Sequence, residues 1–172
     1  MQSGDFAISY LSPLLAVILG IVHAALAPVI VIGGVKPNLV LVVVVLVTIL
    51  AGFQAGITWA FVAGLTANLL VGEPLGTVPF ALLIVAALTA GGARALGRLT
   101  WVYPVLAAFA GSVAADLITL AIGQLVGDAA GGRIPVDLVL AAAALNAALT
   151  ALLLYPARAA ANRWLTDEAT TW

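Results

Sequence analysis

The 172-residue chain has no cysteine, which excludes disulfides, thiolate metal sites and thiol chemistry. Charge is nearly as scarce: Asp, Glu, Lys and Arg make up 8% of residues, against roughly 25% in soluble domains. A water-exposed surface cannot be built from that set. The formal net charge of −1 leaves no electrostatic footprint for nucleic acid. The segment before the first apolar run holds Asp5 but no Lys or Arg. The basic region of a cleavable signal peptide is therefore missing, and the first run is expected to remain as a span. No G-x-x-x-x-G-K-[ST], H-E-x-x-H, G-x-S-x-G or paired-carboxylate motif occurs. No catalytic residue, metal set or cofactor is expected.

What remains is apolar: 65% of the residues are hydrophobic, and the mean hydropathy is +1.25. The chain reads as a single all-α integral membrane domain, a compact polytopic bundle of six transmembrane helices. The first span covers about 10–32, with Pro13 in its first turn and Pro28 at a bend or end. Leu39 to Val71 is continuously apolar, roughly 50 Å of helix against a core of ~30 Å, so it must break at Gly52 to Gly56. That makes two short spans, 37–51 and 56–71. The remaining spans are 77–96, 101–126 and 134–155, followed by an interfacial tail over 156–172 that Pro156 opens.

Lys and Arg set the orientation. Arg94, Arg98, Arg158 and Arg163 share one side in a six-span reading, and Lys36 and Arg133 the other. Positive-inside then places both termini in the cytoplasm. Tyr10, Trp59, Trp101, Tyr103, Tyr155 and Trp164 fall at the cytoplasmic ends of their spans, as an interfacial aromatic belt would.

Two constellations stand out. Every fourth residue from Gly52 gives Gly52, Gly56, Ala60, Gly64, Asn68, Gly72 and Gly76, a small-residue ridge on one helix face. In a bilayer such a ridge lets two backbones approach closely, either within the bundle or against a partner helix. Ordinary glycine content of membrane helices is the plainer explanation. The second constellation is polar: His23 and Asp116 are the ionisable groups well inside spans, joined by Asn68 and Asn146. Ionisable residues in spans suggest function. Interhelical hydrogen bonding, worth about 0.6 kcal/mol each, is the favoured alternative for this cluster.

Pro37-Asn38 opening a very apolar helix, Gly64-Leu65-Thr66-Ala67-Asn68-Leu69-Leu70, and Gly72-Glu73-Pro74-Leu75-Gly76 together resemble the MreD family of bacterial rod shape-determining membrane proteins. That family tends to show Pro-Asp before its second helix and Gly-x-x-x-Asp followed by a Leu-Gly turn. Both aspartates are replaced here, by Asn38 and Asn68, so these positions are left with hydrogen bonding or capping. The resemblance implies a non-enzymatic component of the cell-elongation machinery in the bacterial cytoplasmic membrane. It implies MreC, a single-span protein with a large extracytoplasmic part, as the first partner. RodA, its transpeptidase partner, MreB and membrane lipids are further candidates. The family's fold is similar to the six-helix substrate-binding subunits of energy-coupling-factor vitamin transporters, which is the rival reading. That rival needs aromatic and hydrogen-bonding residues at the outer end. The loops there offer Lys36, Asn38, Glu73, Thr77, Asp128 and Arg133, but no Trp or Tyr. Ala16, Gly20 and Ala24 form a second small-residue ladder, on which such a subunit would dock its coupling protein. An ion or proton channel built on His23 and Asp116 is a third reading.

Overall fold

In a bilayer, backbone polar groups must be satisfied within the segment, and the chain meets this with helices. The computed structural model describes residues 3–72, 74–96, 101–126 and 135–169, with side chains described over 11–72, 74–96, 101–126 and 135–162. Among them run six helices: α1 Ser3–Leu26, α2 Leu39–Leu50, α3 Phe53–Val71, α4 Thr77–Leu96, α5 Val102–Val126 and α6 Val136–Ala169. Four of these, α3, α4, α5 and the 136–162 part of α6, are long and apolar enough to cross a membrane. Residues 11–26 of α1 and the whole of α2 are shorter apolar helices. The loops expected at 97–100 and 127–133, and Glu73, lie outside the described residues.

α2 organises the bundle. Its sequence, LVLVVVVLVTIL, is rich in valine, a mediocre helix former in water, and burial supplies the support that propensity lacks. Eight of its 12 residues are buried. It touches all five other helices, which pack in the succession α1–α3–α4–α5–α6 around it. That ring is open, because α1 and α6 make no contact among the described residues. The Asn38 side chain caps α2 by accepting from the Leu41 N–H at 3.0 Å. At the other end Gly52 takes φ 96°, a conformation open to glycine, and turns the chain straight into α3.

Several boundaries differ from those expected. The first helix starts at Ser3 and stops at Leu26, before Pro28, rather than reaching residue 32. Ile32 instead pairs with Val35 across a two-residue turn of Gly33 and Gly34. The α2–α3 break is tighter than Gly52 to Gly56, since α3 is already helical from Phe53. The largest difference is α6, which runs through Pro156 where a helix end was expected. Ala157, one residue on, packs with Val42, Leu46 and Leu154, and the Arg158 guanidinium lies 4.2 Å from the Trp101 ring centroid. These contacts hold the helix beyond the one hydrogen bond that proline removes. The aromatic belt is also thinner than expected. Tyr103 is buried, with its hydroxyl donating to the Thr89 carbonyl, and Trp59 donates its indole N–H to Ser12 Oγ at 2.8 Å.

Candidate functional site

The small-residue ridge divides into two kinds of position. Gly56, Ala60, Gly64 and Asn68 lie within α3 and are buried. A Cβ built on Gly56 would collide with the Thr48 side chain of α2, and one on Gly64 would lie 2.9 Å from Pro79 Cα of α4. The slow drift of an every-fourth-residue ridge around the helix explains why one row meets two neighbours in turn. Gly52, Gly72 and Gly76 instead serve the backbone, with φ of 96°, 77° and 93°. Gly72 ends α3 in the left-handed conformation typical of a helix C-cap. The ridge therefore faces inward. An adjacent face of α3 takes α1, where Gly20 sits against Ala63 and Thr66. With Ala16 fully buried there as well, the ladder proposed for a coupling protein is occupied by α3.

Of the polar residues, the structure brings His23, Asp116 and Asn146 to one place. A cavity of about 240 Å³ is lined by His23, Lys36, Asn38, Asp116 and Asn146 with apolar neighbours from α1, α3 and α6. A second, of about 150 Å³, shares His23, Asn38 and Asp116 and adds Thr119. Both lie at the end of the bundle that carries the 33–38 and 72–76 turns, around the N-terminus of α2. Asn68 is turned elsewhere: its Oδ1 accepts from the Gly76 N–H at 2.7 Å and so closes the α3–α4 turn.

The hydrogen bonding in this region is unevenly shared. Asn146 is a junction of three elements, donating to Ser112 Oγ of α5 at 2.9 Å and accepting from the Asn38 N–H at 2.8 Å. Its carbonyl also takes the Thr150 hydroxyl at 2.8 Å. Asp116 has no hydrogen bond or ion pair among the described residues, and neither has Lys36, which is exposed at the cavity mouth. His23 Nδ1 is buried without a partner. Reading the sequence for intramembrane polar groups missed Ser112 and Thr119. Ser112 lies one helical turn before Asp116 on the same face, and that spacing is the signal that would have found it. Lys36 and Asn38 were read as polar residues of the outer loops, and Asn38 also as a hydrogen-bonding or capping position, but neither was joined to the intramembrane cluster. Among the described residues no Trp, Tyr or Phe lines either cavity, and no group of three or more His, Cys, Asp or Glu is placed to hold a metal.

The family model described as rod shape-determining protein MreD matches residues 4–156. No curated protein and no solved structure matches the chain.

Proposed function

Because the chain belongs to the MreD family of rod shape-determining membrane proteins, we propose that it is a non-enzymatic component of the bacterial cell-elongation complex, holding MreC in the cytoplasmic membrane and thereby supporting peptidoglycan synthesis. The observation that carries this reading is the family match, which spans all six helices up to Pro156. In this reading all six helices cross the cytoplasmic membrane and both termini are cytoplasmic, in keeping with the arginine distribution. RodA, its transpeptidase partner and MreB stand further out in the same assembly. The bundle's own architecture fits a scaffold: its small-residue surfaces on α1 and α3 are spent internally. Partner contact is then left to the large apolar side chains outside, such as Phe61, Leu69 and Phe80.

The rival of a vitamin-transporter subunit draws little from these cavities, whose described lining has no aromatic side chain to stack on a planar ligand. Affinity capture of the tagged chain from detergent extracts separates the two readings. MreC in the eluate, together with rescue of rod shape in a depletion strain, is the expected result. Recovery of a pair of ATPase subunits without MreC would overturn the reading in favour of transport.

A further inference from the structure

The open side of the ring has a chemical character of its own. With eight residues of α2 buried, the other four are Leu39, Val43, Val47 and Leu50, all half-buried. They recur every three to four residues, so they form one stripe. Val43, Val47 and Leu50 of that stripe lie beside α6, which borders the single interval in the ring, between α6 and α1. At one end of the stripe Leu39 follows Asn38, which lines the polar cavity together with His23, Lys36, Asp116 and Asn146. At the other it runs into an almost wholly apolar groove of about 440 Å³ between α2 and α6, lined by Val43, Val47, Leu50, Leu153 and Pro156 among others. A polar pocket at one end of α2 and an apolar groove further along the same helix match the two parts of an amphiphile lying parallel to the helices.

The charges narrow the class. Asp116 opens on both cavities and makes no hydrogen bond or ion pair among the described residues, although His23 lines both cavities and Lys36 one of them, and intramembrane carboxylates are ordinarily paired. Lys36, also unpaired, stands at the mouth next to the N-terminus of α2, whose partial positive charge favours an anion. An inner anion and an outer cation are complementary to a zwitterion. We propose that the α1–α6 gap binds a zwitterionic aminophospholipid, with its ammonium on Asp116, its phosphate at Lys36, and an acyl chain along the Leu39–Val43–Val47–Leu50 stripe. A partner's transmembrane helix is the weaker occupant. Such a helix, about 10–12 Å across with its side chains, would fill the apolar groove, but an apolar span brings no charges to meet Asp116 and Lys36.

The test is native mass spectrometry of the full chain, delipidated in detergent and reloaded with phosphatidylethanolamine, phosphatidylglycerol or phosphatidylcholine. Phosphatidylethanolamine should be retained about tenfold better than the other two, since only its headgroup brings an N–H cation to Asp116. Asp116→Asn should remove that preference while leaving phosphatidylglycerol retention unchanged. Lys36→Gln, at an exposed position, should weaken both phosphatidylethanolamine and phosphatidylglycerol. Val43→Trp should exclude the acyl chain, and excess soluble glycerophosphoethanolamine should fail to displace bound lipid. Equal retention of the three lipids would overturn the proposal, as would a preference that survives both Asp116→Asn and Val43→Trp. Displacement by the soluble headgroup would show that no acyl chain is held. Loss of MreC capture in Val43→Trp with lipid retention intact would make the gap a protein dock instead.

Discussion

Gly64 has no side chain at the point where α3 crosses α4, and an added Cβ would lie 2.9 Å from Pro79 Cα and 3.0 Å from Leu82 Cδ1. The first of these is backbone and cannot swing aside. Gly64→Leu is therefore expected to lower stability by about 1–3 kcal/mol or more, seen as an earlier thermal unfolding transition in detergent and less protein in the membrane. Phe61→Leu, on the exposed side of the same helix, should be close to neutral. Gly64→Leu that folds normally but loses MreC would contradict the inward placement of the ridge. At Asn146 the argument concerns hydrogen bonds. Asn146→Leu would strip partners from both Ser112 Oγ and the Asn38 N–H. Leaving buried groups unsatisfied costs about 1–3 kcal/mol. Ser112→Ala alone should cost less, because it leaves the Asn38 contact standing, and comparative unfolding of the two variants checks the order.

Among the elements, α6 departs furthest from expectation. Proline usually ends a helix in sequence reasoning because it removes a donor and crowds the preceding turn. Here Leu154 and Ala157 are packed on either side of Pro156, and Arg158 stacks on Trp101 at the start of α5. No local pattern in the sequence carries that information, since Trp101 and Arg158 are remote along the chain. If the stack holds the α6 extension, Arg158→Ala and Trp101→Ala should each destabilise by about 0.5–1 kcal/mol, the range for exposed cation–π pairs. The double variant should cost no more than the larger single one. Additive losses in a double-mutant cycle would mean that the two residues act separately.

At the scale of the whole molecule, α2 is a plug in an open ring. At 12 residues it is roughly 18 Å long, well short of a ~30 Å hydrocarbon core. The cavity that His23, Asn38, Asp116 and Asn146 line lies at its N-terminal end. The orientation of the bundle is open to direct measurement because the chain has no cysteine of its own. Single cysteines at Ser3, Leu75, Gly131 and Thr170 should react with an impermeant thiol reagent in intact cells at 75 and 131 only. Labelling at 170 with protection at 3 would mean an odd number of crossings.

Composition by itself determined that this protein lives in a membrane and is helical. So few charges cannot clothe a soluble surface, and a backbone in lipid must bond to itself. The apolar runs and their glycine and proline breaks located all six helices, with α2 to α5 placed to within a few residues, while both ends of α1 and the far end of α6 were missed; motif spacing carried the resemblance to the MreD family. The tertiary structure alone decided that α2 is central, that the ridge of Gly56, Ala60, Gly64 and Asn68 is spent against α2 and α4, and that Asn68 closes a turn while Asn146 joins three elements. The physical reason is that helical periodicity assigns residues to a face but says nothing of which neighbour that face meets. In a chain where every face is apolar, hydrophobicity cannot choose among them either. Only the fit of side chains across helices does, and that is a property of pairs far apart in the sequence.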